Sequence, residues 1–485
     1  MRLADVLGDI RHEGAIDSDL EITSIVSDSR KVQAGCLFVC IAGRKFDSHD
    51  VALDMQAQGA LAVVTQRRLG LPNEITVHDT RHANAVLCQN FFDNPQKKLK
   101  LIGVTGTNGK TTTASIVKQA LTGLGFRVGL ISTICCEIAD LVIPAKFTTP
   151  EPWDLCALFH RMVGAGCTHA VMEASSQALA QGRLIGLQFE CSVFTNLTQD
   201  HLDYHGTMED YYQAKKLLFL QSRTSVLNLD DPYGQRLCGE LAGGMITLSA
   251  HSDAAHYTAK CIEYSISGVR FALNGHAFID RVFFPMPGGY SVHNALGALC
   301  ALFAIGIDRH DACVAVSSTR GVKGRCEVLH RGEITVISDF AHTGDGLEQL
   351  LKSLRPFVTG RLVTLFGCAG DRDPSKRPAM AQAVCRYSDH VVLSSDNPRT
   401  EDAVSIIEEV GSCISETGVP FTAIPDRFHA IRWAVENSRA DDVLVLCGKG
   451  HEDYQVLDGY TVYLDERRII EDLLREQKNT TQQGS

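Results

Sequence analysis

The stretch LIGVTGTNGKTTTASIV, from Leu101 to Val117, decides the fold of the middle of the chain. An apolar run is followed by a glycine-rich turn and then by a helical pattern, which is the order of strand, loop and helix that binds phosphate. The strict motif G-x-x-x-x-G-K-[ST] would place its first glycine at position 104. Val104 stands there, and Gly106 comes two residues later. The N–H groups of the turn, the start of the helix and the charge of Lys110 still suit a phosphate, so we predict a nucleotide site here.

This loop alone does not choose between a kinase, a switch GTPase and a ligase. A switch GTPase would also need an N-K-x-D motif to read the guanine base, and the chain lacks one. A protein that uses ATP only to change shape, as a switch or scaffold, stays open at this point.

Length and charge bound the class of protein. A chain of 485 residues is too long for one core and predicts roughly three domains. The formal net charge of −11 argues against nucleic-acid or anionic-membrane partners, which need a basic face.

The 17 cysteines are odd in number, lie mostly in apolar runs and include no C-x-x-C, so they indicate free thiols in a reducing cytosol. The start of the chain lacks the apolar core of a signal peptide, and no apolar run is long enough to span a bilayer. We expect a cytoplasmic protein.

Apolar runs and helical patterns alternate along the chain. Residues 1–98 read as a small α/β unit, residues 99–324 as a parallel sheet with helices on both faces, and residues 325–485 as a second alternating unit. The last unit lacks G-x-G-x-x-G after its first strand, which argues against a dinucleotide cofactor. We predict an α/β fold of three domains with these bounds. It has a central P-loop ATPase-type parallel sheet and a C-terminal Rossmann-like doubly wound sheet.

Two further strand ends carry candidate magnesium ligands. Glu173 ends the run HAVME, and His201 lies in the loop NLTQDHLDYHG after the next predicted strand. Magnesium prefers oxygen ligands, with an occasional nitrogen, and the Thr111 hydroxyl can join them. Taken singly, each side chain could equally be a surface or capping residue. Their joint placement after successive strands favours a metal site.

Eight motifs occur in the order found in the Mur ligases: GTNGKTTT, MEASS, NLTQDHLDYHG, QAKKLLF, SDFAHT, GCAGDRD, SDNPRTE and GKGHEDYQ. The chain resembles this family over about residues 22–465. The family reads G-T-x-G-K-T at the phosphate loop, which accounts for the displaced glycine. The resemblance implies an ATP-dependent ligase of cytoplasmic peptidoglycan precursor synthesis. It would add meso-diaminopimelate to UDP-MurNAc-L-Ala-D-Glu through an acyl phosphate.

The resemblance also implies the residues of each subsite. The expected catalytic residues are Lys110, Glu173, His201 and Lys215. The expected ATP contacts are Gly106, Thr107, Asn108, Gly109, Lys110, Thr111, Thr112, Asn294, Arg325, Asp339 and His342. The expected UDP-MurNAc-dipeptide contacts are Ser29, Arg44, Lys45, Phe46, Thr148, Thr149, Ser175, Gln181 and Arg183. The expected meso-diaminopimelate contacts are Arg372, Asp396, Asn397, Pro398, Arg399, Gly448 and Glu452.

Two magnesium ions are implied by the resemblance. Thr111 and Glu173 would serve the nucleotide-bound ion, and His201 the second. The second ion also involves QAKKLLF, where a lysine should repel a metal. In the family, the lysine of the A-K pair is carbamylated by CO₂, and by position this residue is Lys215 rather than Lys216. Without the resemblance, either would be read as a solvated helix lysine.

Arg399 indicates which amino acid is added. In the family, D-N-P-R marks the enzymes that add meso-diaminopimelate, and the lysine-adding relatives lack the arginine. A guanidinium can grip the distal carboxylate of meso-diaminopimelate with a bidentate fork and would repel the ammonium of lysine. The alternatives are a lysine-adding Mur ligase, against which Arg399 speaks, and a folylpolyglutamate synthase-like ligase, against which the D-S-R element at Ser29 speaks. We expect a monomer.

Overall fold

The computed structural model describes residues 1–43, 46–276 and 278–483. Contacts within the chain divide it into two compact units. The first unit comprises residues 1–258, 274–280 and 293–316, and the second comprises residues 259–273, 281–292 and 317–485. No helix among the described residues is long and apolar enough to cross a bilayer.

The N-terminal part of the first unit is a small parallel sheet. Its strands are β1 (Ser24–Val26), β2 (Cys36–Val39), β3 (Ala62–Thr65) and β4 (Glu74–Thr76), in that order across the sheet. Its helices are α1 (Leu3–Leu7), α2 (Ala52–Ala57) and α3 (Thr80–Phe91), with 3₁₀ turns at Ser29–Lys31, Ser48–Val51 and Pro95–Lys98. Side chains alternate across a strand, so Leu37 packs with α1 and α3 while Phe38 packs with α2 on the opposite face.

The large sheet of the chain carries the phosphate loop. Its strands are β5 (Lys100–Thr105), β6 (Val128–Ile131), β7 (Cys135–Ile138), β8 (Leu141–Pro144), β9 (His169–Glu173), β10 (Phe189–Phe194), β11 (Ser222–Asn228), β12 (Gly244–Ser249), β13 (Tyr257–Ser265), β14 (Gly268–Gly275) and β15 (Phe278–Phe284). Their order across the sheet is β15-β14-β13-β12-β11-β10-β5-β9-β6-β7-β8. The helices that follow these strands are α4 (Lys110–Gly123), α5 (Pro152–Gly164), α6 (Ser176–Ala180), α7 (Leu202–His205), α8 (Met208–Phe219), α9 (Pro232–Glu240), α10 (Gly289–Ala304) and α11 (Arg309–Ser317).

Three neighbouring strands of this sheet position the site. β5 lies between β10 and β9, and both pairings are parallel. The carboxyl ends of parallel neighbours meet at one edge of the sheet, so the loops after β5, β9 and β10 come together there. The predicted parallel sheet and the three strand-end loops are confirmed.

The second unit contains a further sheet with helices on both faces. Its strands are β16 (Glu327–Arg331), β17 (Thr335–Asp339), β18 (Leu362–Phe366), β19 (His390–Leu393), β20 (Phe421–Ala423) and β21 (Val443–Cys447), and a separate hairpin is formed by β22 (Tyr454–Leu457) and β23 (Tyr460–Tyr463). Its helices are α12 (Gly344–Leu354), α13 (Lys376–Tyr387), α14 (Ala403–Ser415), α15 (Arg427–Glu436) and α16 (Glu466–Gln483), with a 3₁₀ turn at Arg355–Phe357.

The strand order of this sheet is β16-β17-β21-β18-β19-β20, with only the β16–β17 pair antiparallel among the described pairs. Val445 packs in the core with α12, α13 and α14, and Leu446 packs in the core with α15 and α16. This alternation is the doubly wound arrangement that the sequence predicts.

Candidate active site

The phosphate loop links β5 to α4 and is shaped by two glycines. Gly106 has a φ of 150°, and a Cβ at this position would lie 1.9 Å from Oγ1 of Thr195. Gly109 has a φ of 84° and is the N-cap residue of α4, so the helix begins at Lys110 with its N–H groups directed toward the loop. A side chain at Gly106 would therefore collide with the neighbouring loop, and the geometry requires glycine there.

The loop after β10 holds the phosphate loop in place. The N–H of Asn108 donates to Oδ1 of Asn196 at 2.9 Å, and the Thr195 hydroxyl donates to the carbonyl of Asn108 at 2.6 Å. The Thr107 hydroxyl donates to the carbonyl of Thr198 at 3.1 Å and accepts the N–H of the same residue at 3.0 Å. These bonds fix the loop before any nucleotide binds, which lowers the ordering cost of binding.

Two lysines point toward this loop. Lys110 Nζ donates to the carbonyls of Gly106 and Thr107 at 2.9 and 2.7 Å. Lys215, from α8, is 1% exposed, donates to the carbonyl of Gly106 at 2.7 Å and lies over the ring of Tyr211. Burial lowers the pKa of Lys215 well below its ordinary value, and the charge of Lys110 acts in the same direction. Lys216, by contrast, forms an ion pair with Glu240.

The expected magnesium ligands lie on the strand-end loops. Glu173 ends β9, is fully buried, and accepts hydrogen bonds from the N–H and hydroxyl of Thr133 at 2.8 and 3.1 Å. Thr111 is buried in the first turn of α4, next to Thr112. His201 has a left-handed φ of 52°, and its Nε2 lies 3.4 Å from Oδ2 of Asp200. Burial lowers the pKa of His201, although the negative charge of Asp200 acts to raise it. The lowered pKa favours the neutral imidazole that a metal requires.

Four of the residues expected at the muramoyl-peptide are hydrogen-bonded into one cluster. Thr149 accepts the N–H of Ser175 at 3.0 Å and donates to the carbonyl of Glu173 at 2.8 Å. Arg183 donates to the carbonyl of Thr149 at 2.9 Å and to Oε1 of Gln181 at 2.6 Å. The cluster thus joins these polar groups to the strand end that carries Glu173, the expected magnesium ligand.

The remaining expected substrate contacts lie in two places. The hydroxyl oxygens of Thr148 and Thr133 lie 3.1 Å apart, within hydrogen-bond distance. Ser29 begins a 3₁₀ turn capped by Asp28, and Phe46 is 53% exposed. Arg44 and Lys45 lie outside the described residues.

Asn294 is the expected ATP contact of the first unit that lies outside the phosphate loop and its helix. It lies on α10 and is buried. Its Oδ1 lies so close to Gly109 that a Cβ added to this glycine would be 2.4 Å from that oxygen. The Thr113 hydroxyl is 3.5 Å from the same oxygen. The structure therefore brings this asparagine to the phosphate loop.

The other expected ATP contacts belong to the second unit. Asp339 ends β17 and accepts the N–H groups of Cys326 and Ala341 at 2.6 and 2.7 Å. Burial raises the pKa of Asp339 despite the opposing charge of Arg325. Arg325 lies over the ring of Phe340, and His342 is exposed at the start of the following loop.

Positive charge collects around this part of the second unit. The pKa of His451 is lowered to about 4 by burial first and then by the cations Arg325, Lys323 and Arg467. Two of these cations, Lys323 and Arg467, also line a cavity of about 550 Å³. Its other lining residues are Pro285, Arg320, Gly321, Val322, Cys326, Glu327 and Val328. A concentration of cations of this kind suits an anionic ligand such as a nucleotide.

The expected amino-acid site is built around a lysine that the sequence reasoning did not select. Lys449 is fully buried, donates to Oδ1 of Asn397 at 2.6 Å and lies 3.4 Å from Asp396. Its ammonium also lies 3.2 Å from Oε2 of Glu452, which accepts a hydrogen bond from Asn397. Gly448 donates its N–H to the carbonyl of Asp339 at 3.0 Å. The only sequence feature that could have pointed to Lys449 as a site residue is its position between two glycines in GKGHE.

Arg399 adopts a backbone conformation that is rare for its residue type. Its φ is 54°, and its N–H donates to the carbonyl of Val456 at 3.2 Å. Its guanidinium donates to the carbonyl of Gly370 at 2.7 Å. Pro398 before it is buried, and Arg372 is exposed in the loop after β18. Such strain persists where the surroundings enforce it, and it is common at ligand sites.

Thr133 is a second residue that sequence reasoning missed. It follows β6, and its N–H and hydroxyl both bond Glu173. Only the parallel pairing of β6 with β9 brings the two positions together, so no local pattern could have identified it.

Known protein families match this chain in three consecutive segments. Residues 21–91 match the Mur ligase family catalytic domain, residues 104–302 the Mur ligase middle domain, and residues 324–450 the Mur ligase glutamate ligase domain. The chain belongs to the Mur ligase family. The resemblance stated from its motifs is confirmed.

Full-length relatives agree with this assignment. A UDP-N-acetylmuramoyl-L-alanyl-D-glutamate–2,6-diaminopimelate ligase 1 of Clostridium acetobutylicum is 41% identical and is matched over 98% of this chain and 100% of its own. A ligase of the same activity from Caldanaerobacter subterraneus subsp. tengcongensis is 40% identical over 98% of this chain and 99% of its own. A solved structure of a UDP-N-acetylmuramoyl-L-alanyl-D-glutamate–2,6-diaminopimelate ligase has a TM-score of 0.73 at 32% identity, covering 99% of both chains.

Proposed function

We propose that this protein is an ATP-dependent ligase that adds meso-diaminopimelate to UDP-MurNAc-L-Ala-D-Glu in peptidoglycan precursor synthesis. The observation that carries the proposal is identity of 41% across 98% of the chain to a relative named for that activity. The loop from Asp396 to Arg399, together with Lys110 and the buried Lys215 at the phosphate loop, supplies groups that such a reaction needs.

The reaction runs in two steps. A carboxylate oxygen of the D-glutamyl residue attacks the γ-phosphorus of ATP, ADP leaves and an acyl phosphate forms. The amine of the incoming amino acid then attacks the acyl carbon and loses a proton, and phosphate leaves from the tetrahedral intermediate. Lys110 and the N–H groups at the start of α4 hold the phosphates in line, so catalysis is mostly positioning and charge neutralisation.

The residues at the strand ends fit magnesium. Glu173 is a fully buried carboxylate whose described hydrogen bonds come from Thr133, and no ion pair to it occurs in the described part of the chain. A buried carboxylate without a cation is costly, so a divalent ion suits this position. Thr111 and Glu173 would hold one ion and His201 a second. When bound, magnesium neutralises negative charge on the transferring phosphoryl group.

Lys215 is the residue we assign to carbamylation. Its neutral ε-amine would add CO₂ and release a proton, which converts a neutral side chain into an anionic one able to serve the second ion. The burial of Lys215 beside Lys110 supports this assignment because both lower its pKa and favour the neutral amine.

We assign one substrate to each of three domains. Residues 1–98 bind the uridine end of UDP-MurNAc, residues 99–324 bind ATP, and residues 325–485 bind the amino acid. We propose a cytoplasmic monomer without nucleic-acid or membrane partners. Light scattering on the purified chain tests the oligomeric state, and a dimer at the working concentration would contradict it.

The deciding experiment measures phosphate release and product formation with purified protein. Release should require both UDP-MurNAc-L-Ala-D-Glu and meso-diaminopimelate, and meso-diaminopimelate should outcompete L-lysine. Preference for L-lysine would identify a lysine-adding ligase. Release with neither substrate would instead indicate a protein that uses ATP only to change shape.

A further inference from the structure

Two histidines and an aspartate to which the proposed ligase reaction assigns no role lie close together. Asp230 lies two residues after β11, His251 lies two residues after β12, and His293 lies in the first half of α10. One ligand-type atom of each residue lies within 4.8 Å of the other two. All three residues belong to the first unit.

The carboxylate of Asp230 is fixed by the loop that carries His251. It accepts the N–H of Ala250 at 2.6 Å and the hydroxyl of Ser249. The Ser249 oxygen in turn accepts the N–H groups of His251 and Ser252 at 2.9 and 2.7 Å. The backbone at His251 is therefore tied to the carboxylate beside it. Hydrogen-bonded supports of this kind orient metal ligands in proteins.

The two imidazoles approach the carboxylate from different elements. His293 Nε2 lies 2.8 Å from Oδ2 of Asp230, and the ring centroids of His251 and His293 are 6.0 Å apart. Zinc bonds of about 2.0–2.2 Å place two ligand atoms on one ion at most about 4 Å apart. The ligand atoms of the three residues lie within 4.8 Å of one another, which exceeds this limit by less than about 1 Å. His251 is exposed on its loop. A small rotation of this side chain brings all three atoms within range.

The ligand types select the cation. Two imidazole nitrogens and one carboxylate oxygen suit zinc, cobalt or nickel, whereas magnesium prefers oxygen ligands in an octahedron with several waters. We propose that Asp230, His251 and His293 form a binding site for a divalent transition cation of the zinc class, separate from the magnesium ligands at the phosphate loop. Three protein ligands leave a fourth position for water or an external ligand.

This site is close in the chain to residues that shape the nucleotide loop. His293 precedes Asn294, whose Oδ1 lies against Gly109. Asp230 precedes Asp231, whose carboxylate accepts the N–H of Leu197 at 2.9 Å in the loop after β10. The cation site is thus built on the same scaffold as the phosphate loop while using different side chains.

The test is a titration of the full chain, freed of metal by a chelator, with Zn²⁺ and then with Co²⁺ in an excess of Mg²⁺. Calorimetry should give one tight equivalent for the wild type. His251→Ala and Asp230→Asn should each weaken binding at least about tenfold, because each loses one of three ligands. The Co²⁺ form should show the visible absorption of a four-coordinate site without thiolate charge transfer. Zn²⁺ should also raise the Tm of the wild type and leave that of His251→Ala unchanged.

Two controls separate this site from other metal-binding groups. His310→Ala removes an exposed histidine that lies 2.7 Å from the single carboxylate of Asp280, and it should bind Zn²⁺ as the wild type does. Cys261→Ser removes an exposed thiol and should also bind normally. Should Asp230→Asn fail to fold, His251→Ala carries the test, because His251 contributes its backbone N–H to the hydrogen bonds that anchor the loop and this substitution keeps that N–H. Unchanged affinity in His251→Ala, loss of binding in Cys261→Ser, or no Zn²⁺ binding in excess Mg²⁺ would overturn the proposal.

Discussion

Lys110 and Lys215 donate to the same oxygen atom, the carbonyl oxygen of Gly106, at 2.9 and 2.7 Å. Two ammonium groups at one acceptor repel each other, and the repulsion is strong because Lys215 is buried. Deprotonation of Lys215 relieves it, which agrees with the lowered pKa of this residue. The phosphate loop is therefore contacted by two lysines, and the neutral amine is favoured at the buried one, Lys215.

Replacement of Lys215 tests the role of that amine. We expect Lys215→Ala to lose ligase activity by at least about 100-fold, because the proposed carbamate that would serve the second magnesium ion could no longer form. Short-chain carboxylates added to the assay should restore part of the activity. The matched control is Lys216→Ala, which removes the adjacent lysine paired with Glu240 and should stay within about twofold of the wild type. Absence of rescue in a folded Lys215→Ala protein would count against carbamylation.

Replacement of Lys110 tests the phosphate loop itself. Lys110→Met keeps the length of the side chain and removes its charge, so phosphoryl transfer should fall by about 100-fold or more. Phosphate release in the presence of both substrates measures the effect. The control Lys98→Met removes an exposed lysine paired with Asp93 and should leave release unchanged. Activity retained in Lys110→Met would exclude this loop as the nucleotide site.

Asp47 gives the first unit a stability that depends on pH. Hydrogen bonds from the His49 backbone, and then from the His49 ring and Arg67, lower its pKa to about 2 despite partial burial. A carboxylate with a lowered pKa in the folded state stabilises the fold above its ordinary pKa and loses that contribution as pH falls toward about 2. Asp47→Asn should therefore destabilise the protein by about 1 kcal/mol near neutral pH, with the difference shrinking on acidification.

Thermal unfolding at several pH values measures this effect. Asp54→Asn, at an exposed carboxylate in the first turn of α2, is the control and should shift the Tm much less than Asp47→Asn at neutral pH. A Tm difference between Asp47→Asn and the wild type that stays constant down to pH 3 would show that the charge of Asp47 does not stabilise the fold.

The phosphate loop and the positions of Glu173 and His201 after their strands could be predicted because their signals are local. Strand, turn and helix are adjacent in sequence around Gly109, and Glu173 and His201 each follow an apolar run directly. Once these strands pair in parallel, their carboxyl ends lie at the same edge of the sheet, so the residues that follow them come together. The α/β class follows from the same alternation of runs.

The supporting residues could not be predicted because their contacts depend on strand order. Thr133 reaches Glu173 only because β6 pairs with β9. Lys449 reaches Asn397 because β21 and the loop after β19 end at the same edge of the sheet in the second unit. A lysine in sequence is most often a solvated side chain, and only the folded chain shows that Lys449 is fully buried. The bounds of the three domains stay a prediction.

Arg399 tests the choice of amino acid. Its guanidinium is held by the carbonyl of Gly370 at 2.7 Å, in a position from which a fork could bind the distal carboxylate of meso-diaminopimelate. A charge-assisted bond of about 1.5–3 kcal/mol corresponds to a KM for meso-diaminopimelate that rises about 10- to 150-fold in Arg399→Ala, while the KM for ATP stays within about twofold.

Because φ at this position is 54°, Arg399→Gly relieves backbone strain that Arg399→Ala retains, so an equal KM effect in both variants assigns the loss to the guanidinium. Arg386→Ala removes an arginine on α13 paired with Glu348 and serves as the control with unchanged constants. If Arg399→Ala raised both KM values alike, or if it did not weaken the preference for meso-diaminopimelate over L-lysine, the selecting group would have to be sought elsewhere in the second unit.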